Sequence, residues 1–213
     1  MLFPSLLPLA AVGWISSMPA DPAVVTDAAQ TLTDQTPAAP SEQTVDVPLF
    51  DINHQERRTV TIGLDGTIDG GTQATLERMF RCKRTQKRHA IDQGLLAMIA
   101  DVSSHYPGKT LEYVSAFRAL DRHTSRHWQG RAFDFRIPGV PTTDVRDYVW
   151  THHTHLGLGW YPEEDFIHMD HRPDDPDYAW THHGRYDHGN PSWAAELRVP
   201  KHHQSAHVDR VGS

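Results

Sequence analysis

Between residues 47 and 180 the spacing of apolar positions switches repeatedly between a period of two and one near 3.6. VPLFDINHQERRTVTIG holds two extended stretches, 49–52 and 59–62, joined by polar residues, which predicts a β-hairpin. Residues 73–84 place Leu76, Met79 and Phe80 on one helical face. Asp92 then caps a second helical run carrying Leu95, Leu96, Ile99 and Val102. LEYVSAF is a short predicted strand ending at Arg118. Residues 131–136 alternate, with Phe133 and Phe135 on one face and Ala132, Asp134 and Arg136 on the other. Turn residues follow, then a helix capped by Thr142 or Thr143 and carrying Val145, Tyr148 and Val149. LGLGWYP and FIHMD are two further predicted strands. No internal repeat is visible, and strands and helices mix without a regular βαβ alternation. The expected class is α+β, with a small, mostly antiparallel sheet and flanking helices.

The two ends of the chain depart from this pattern. Residues 2–15 are apolar and lead into small residues up to Ala20, the pattern of a secretory signal over 1–20. No Lys or Arg precedes the run, Pro4 and Pro8 interrupt it, and it is too short for a membrane span. Export to the periplasm or cell envelope is therefore expected, with no stable membrane span once the segment is cleaved. Residues 21–45 are Ala, Pro, Thr, Asp and Gln with few large apolar groups, and read as a disordered linker. The folded domain is expected over 46–181 and a His-rich polar tail over 182–213.

Composition narrows the function. Hydrophobic content is 38% and mean hydropathy −0.56, in keeping with polar ends around one domain. The net charge of −7 argues against a nucleic-acid binder that works by broad phosphate neutralisation. The basic stretch RMFRCKRTQKRH reads as a solvated helix end, with a patch for an anionic polymer as the lesser reading. Cys82 is the single cysteine, which excludes an internal disulfide and a Cys-based zinc knuckle. Of the sixteen histidines, only those among patterned residues carry weight.

In FIHMD, alternation puts Phe166, His168 and Asp170 on one face and Ile167 with Met169 on the other. In SRHWQGRAFDF, His127 and Asp134 are both candidate metal ligands, and Gly130 lets the backbone turn between them. Together with His168 they make two imidazoles and a carboxylate. That set suits a catalytic zinc site, which keeps three protein ligands and leaves a position for water that ionises near neutral pH. His152, His153 and His155 flank a helix end, and His171 reads as a solvent-facing loop residue. Trp128, Trp160 and Trp180 read as core or cleft-wall residues, the first two as candidates to lie under a sugar or peptide.

Four segments in order carry a resemblance. VSAFR, SRHWQGRAFDFRIPGV, LGLGWYP and FIHMDHR resemble the YcbK-like murein endopeptidases (the murein endopeptidase K family), within the zinc D-Ala-D-Ala peptidase and hedgehog-like superfamily. Residues 115–118 match a Ser-x-Tyr-Arg motif, with Phe117 where Tyr is usual. Ser125, His127, Gly130, Ala132 and Asp134 match Ser-x-His-x-x-Gly-x-Ala-x-Asp. Residues 157–162 match Gly-x-Gly-x-Tyr-Pro, and Phe166, His168 and Asp170 match Phe-x-His-x-Asp. Cys82 stands where relatives often carry an acid. The resemblance covers about 47–180.

The resemblance implies a hedgehog- and DD-peptidase-like fold and one zinc ion per chain on His127, Asp134 and His168. It implies that Arg118 holds a substrate carboxylate, with Ser125 and Trp160 as further substrate contacts. Asp165, three residues before the last ligand, is the first choice of general base, and Asp170 the second. The activity it implies is hydrolysis of D-Ala and diaminopimelate cross-links in peptidoglycan stem peptides, with a D-Ala-D-Ala carboxypeptidase as an alternative. From another class comes a zinc-stabilised module that binds cell-wall peptide without cutting it. A structural zinc site would need a fourth protein ligand, for which His171 is the nearby candidate.

Overall fold

A computed structural model describes residues 43–198. The signal segment expected over 1–20, nearly all of the linker expected over 21–45 and the end of the expected tail lie outside the described residues. Strands β1 (Thr44–Asp51) and β2 (Glu56–Gly63) form the expected antiparallel hairpin. Helices α1 (Gly70–Met79) and α2 (Gln93–His105) follow. Then come β3 (Leu111–Ser115), β4 (Ala132–Arg136), α3 (Thr142–His152), β5 (Leu156–Tyr161) and β6 (Phe166–His171). Strands β7 (Tyr178–His183) and β8 (Tyr186–Gly189) and helix α4 (Ser192–Arg198) complete the described chain.

Local chemistry accounts for the helix starts. The Asp69 carboxylate accepts the Thr72 N–H at 2.6 Å, and Asp92 accepts that of Leu95 at 3.0 Å, each satisfying a first-turn donor. Helix α3 differs from the expected cap. Its N-cap is Pro141, with no side-chain cap, because both threonines lie inside the helix with their hydroxyls bonded elsewhere. Thr142 accepts from the Trp160 indole at 3.3 Å, and Thr143 donates to Asp144 at 3.4 Å.

The sheet is larger than the small, mostly antiparallel one expected. It has eight strands in the order β2-β1-β3-β4-β6-β5-β7-β8 and is mixed, since β1 with β3 and β5 with β7 run parallel. The β1–β3 connection runs through α1 and α2, the long crossover that parallel neighbours require. The stretch read as polar tail from residue 182 holds the end of β7 and all of β8, which pair antiparallel with Thr181 opposite His188. Helix α4 then docks on α3, where the Trp150 indole donates to the Ala194 carbonyl at 2.8 Å and meets Trp193 edge-on. Residues 182–198 are thus part of the fold.

One face of the central strands makes the core. Phe133 and Phe135 of β4 and Ile167 and Met169 of β6 have no exposed surface. They belong to one cluster with Leu95, Leu96, Ile99 and Val102 of α2 and Val145 and Val149 of α3. Four such side chains alone contribute several kcal/mol of burial, at ~1.5–3 kcal/mol each. The alternate residues of the same strands turn to the other side, and among them are Asp134, His168 and Asp170.

Candidate metal centre

Antiparallel pairing of β4 with β6 sets Asp134 directly opposite His168 and Ala132 opposite Asp170. His127 arrives from the loop between β3 and β4. That loop closes at Gly130, whose φ of 68° is open to glycine and whose added Cβ would lie 2.3 Å from the Ala90 carbonyl oxygen. Three donor atoms converge as a result. His168 Nδ1 lies 2.8 Å from Asp134 Oδ1, His127 Nε2 lies 3.3 Å from the same oxygen, and the two nitrogens are 3.2 Å apart. All three residues are buried, and among the described residues no other group of His, Cys, Asp or Glu side chains converges in this way.

The outer nitrogens decide where the lone pairs point. His127 Nδ1–H donates to the Ala116 carbonyl at 2.6 Å, and His168 Nε2–H donates to Asp170 Oδ2 at 2.9 Å. Each imidazole is thereby held in the orientation that turns its other nitrogen inward, the arrangement outer partners impose on metal-ligating histidines. Asp134 Oδ2 is held by the Arg118 guanidinium, which leaves Oδ1 for the cluster. The donor atoms of a tetrahedral zinc site lie roughly 3.3–3.6 Å apart at its usual bond lengths. The observed triangle is slightly tighter, as expected for donors linked directly by hydrogen bonds. The donor set and its outer partners fit a divalent metal.

Electrostatics agree with that fit. Burial would push the Asp134 carboxyl up, but the His127 and His168 imidazoles hold it well below the usual carboxylate range. Burial would push the His168 imidazole down, yet its hydrogen bonds with Asp134 and Asp170 raise it to about 9. Asp170, buried but bonded to His168 and Arg172, is lowered to about 2.

The cluster lies in a cleft of about 690 Å³. Tyr161, Phe166, Tyr178 and Trp180 give it aromatic lining, and Arg118, Arg126 and Arg172 give it charge. The two glycines of LGLG make room for this. A Cβ on Gly157 would fall 2.1 Å from Asp170 Oδ2, and one on Gly159 would fall 2.4 Å from the Trp180 indole. Side chains at these positions would displace the Asp170–Arg172 pair or the Trp180 ring, whose centroid is 5.0 Å from that of His168.

The expected site residues divide clearly. Arg118 and Ser125 line the cleft with the three candidate ligands and Asp170. Arg118 Nε donates to Ser115 Oγ at 2.8 Å, and Ser125 donates to Asp121 at 2.9 Å. Trp160 does not reach the cleft. It sits opposite Ile167 in the sheet, on the core side, under the Arg146 guanidinium of α3. Asp165 is exposed in the β5–β6 turn at a φ of 54° and is not among the cleft residues. Asp170 has both oxygens bonded, to His168 and Arg172, which suits positioning and not proton abstraction. His171 turns to Asp92 at 2.5 Å and supplies no fourth ligand. Trp128, half-buried, stacks on His123 at 4.1 Å between centroids. Sequence reasoning missed Arg126 and Arg172. The signal for Arg172 was its place two residues after Asp170, just past the end of β6.

Comparison with known proteins bears on this geometry. Residues 39–174 match the model of a peptidase M15 family described as peptidoglycan L,D-endopeptidase MepK. A probable peptidoglycan L,D-endopeptidase MepK of Haemophilus influenzae is 29% identical over 136 residues, covering 57% of this chain and 73% of that protein. The peptidoglycan L,D-endopeptidase MepK of Escherichia coli K12 is 27% identical over 113 residues, covering 47% of this chain and 62% of that protein. No solved structure matches the chain.

Proposed function

Since the chain belongs to the M15 metallopeptidase family of peptidoglycan L,D-endopeptidase MepK, we propose that it is a zinc-dependent endopeptidase that hydrolyses peptide cross-links of peptidoglycan. The observation that carries the reading is the pair of imidazoles whose outer N–H groups are fixed by Ala116 and Asp170, so that their inner nitrogens meet one oxygen of Asp134. A divalent metal on His127, Asp134 and His168 supplies Lewis acidity toward a peptide carbonyl and lowers the pKa of water.

The chain's own residues supply orientation. Asp170 acts as a positioning residue, fixing His168 through its Nε2–H. Arg118 keeps Asp134 turned to the cluster through Nη2. Its Nη1 has no hydrogen-bond partner among the described residues, which fits a role in holding a substrate carboxylate. Ser125 lines the same cleft. Trp180 and Tyr161, also in the cleft lining, give an apolar surface against which a peptide stem can lie. A substrate outside the cytoplasmic membrane also calls for export to the periplasm or envelope. Among the described residues no helix is long and apolar enough to cross a membrane.

Digestion of cross-linked peptidoglycan by the zinc-loaded protein, with products separated by mass spectrometry, tests the reading. Loss of cross-linked muropeptides with wild type but not with His168→Ala is the expected result, and the new termini name the bond. The positions of Asp165 and Asp170 favour a second reading, a metal-stabilised binding module, because neither offers a free carboxylate to water in the cleft. Intact cross-links with one metal bound per chain would establish that reading instead.

A further inference from the structure

The arginines lining the cleft are Arg118, Arg126 and Arg172, and each is paired with an aspartate. The three pairs differ in one respect. The partner side chains of Arg118 and Arg172, Asp134 and Asp170, are 2% and 0% exposed, whereas Asp175, the partner of Arg126, is 51% exposed. Breaking a buried pair strands a charge away from water, while an exposed pair contributes little and exchanges partners readily. Arg126 is therefore the one cleft arginine whose carboxylate partner can be replaced by another carboxylate.

Its position fits that exchange. Arg126 precedes His127, and its Nε lies 3.8 Å from Asp170 Oδ1, so the guanidinium borders the cluster. Gln129 Oε1 accepts from its Nη1 at 2.9 Å, which holds the planar group in place whether or not Asp175 is bound. Asp175 sits in the turn between β6 and β7, between Pro173 and Pro176, and it lines the same cleft. A side-chain carboxylate reaching into the cleft and bound by an arginine there resembles a free carboxylate of a peptide substrate in charge and in geometry.

We propose that Arg126 selects substrate peptides bearing a free carboxylate, and that Asp175 is a placeholder which the substrate carboxylate displaces. This rests on the endopeptidase reading, whose substrate is a carboxylate-bearing peptide stem, and it names the residue pair that reads that feature. The same pair, if it served only to tie the two loops together, would respond differently to substitution. Loss of either partner would then weaken binding alike.

The experiment is calorimetric titration of a stem peptide with a free terminal carboxylate, and of the same peptide as its carboxamide, into metal-free and metal-loaded protein. Wild type is expected to prefer the carboxylate. Arg126→Gln should weaken carboxylate binding by about tenfold, the loss that a charge-assisted hydrogen bond carries. Carboxamide binding should be unchanged, and Arg126→Lys should recover most of the loss. Asp175→Asn should act in the opposite direction, tightening carboxylate binding by about threefold, since it removes the competitor. Weakening by both substitutions, equal effects on the two peptides, or no carboxylate preference in wild type would each overturn the proposal. Cleavage of cross-linked muropeptides, scored separately, decides the endopeptidase reading on its own.

Discussion

His168 on β6 has Asp134 at 2.8 Å and Asp170 at 2.9 Å. His182, on the nearby strand β7, has Asp187 at 2.7 Å and Glu164 at 3.9 Å. Both are histidines between two acids, yet their surroundings differ in every other respect. The acids around His168 are 2% and 0% exposed, and a second imidazole stands 3.2 Å away with its own outer acceptor. The acids around His182 are 58% and 44% exposed, and its ring stacks on Tyr161 with no second imidazole facing it among the described residues. Closeness of a histidine to carboxylates is common on a surface. A metal centre also requires a second imidazole, water kept from the donors, and outer groups that aim the lone pairs inward.

Substitutions can widen or erase this contrast. His127→Ala removes one imidazole of the buried set and is expected to abolish stoichiometric metal binding, measured by mass spectrometry of the native protein. Cross-link hydrolysis should fall by roughly 10³-fold with it, the scale of several kcal/mol of lost charge stabilisation. Asp170→Asn keeps all three donors and weakens the hold on His168. Metal affinity should drop about 10- to 100-fold, read by competition with a chelator.

The pH dependence of the metal-free fold follows from the same groups. His168 is raised from its ordinary value of 6.5 to about 9 in the folded protein, so its contribution is fully present below pH 6.5 and is lost as pH rises through 9. Asp170 is lowered from 3.8 to about 2, so its contribution is present above pH 3.8 and is lost as pH falls through 2. Thermal midpoints of the chelated protein should therefore be highest between these limits and decline toward pH 9, and the alkaline decline should vanish in His168→Ala. The smallest effect is expected for His182→Ala, which should leave metal stoichiometry unchanged. A loss of bound metal there would show that His182 contributes what the buried geometry assigns to His168.

The buried set was legible because strand alternation assigns faces from sequence alone. Once FIHMD and RAFDFR are strands, Ile167, Met169, Phe133 and Phe135 must turn one way and His168, Asp170 and Asp134 the other. Alternation also contains the answer for Trp160, but only after pairing is known. It stands opposite Ile167, and cross-strand partners share a face. Asp165 was misleading for another reason. Its spacing from His168 suggests reach, while the left-handed turn backbone leaves it exposed and off the cleft. Strands β7 and β8 were hidden because YAWTHH and YDHG carry histidines where apolar residues would reveal a strand, and parallel pairing of β5 with β7 leaves no local signature. The glycines of LGLG were readable as a motif. Their physical reason, space for Asp170 and Trp180, emerges only in three dimensions.

The most direct test is to strip the protein with a chelator and add zinc back in measured steps while following release of cross-linked muropeptides. The account expects no hydrolysis from the stripped protein and full recovery at one zinc per chain, with none recovered in His168→Ala. Undiminished hydrolysis after complete removal of metal, or recovery in the variant equal to wild type, would contradict it.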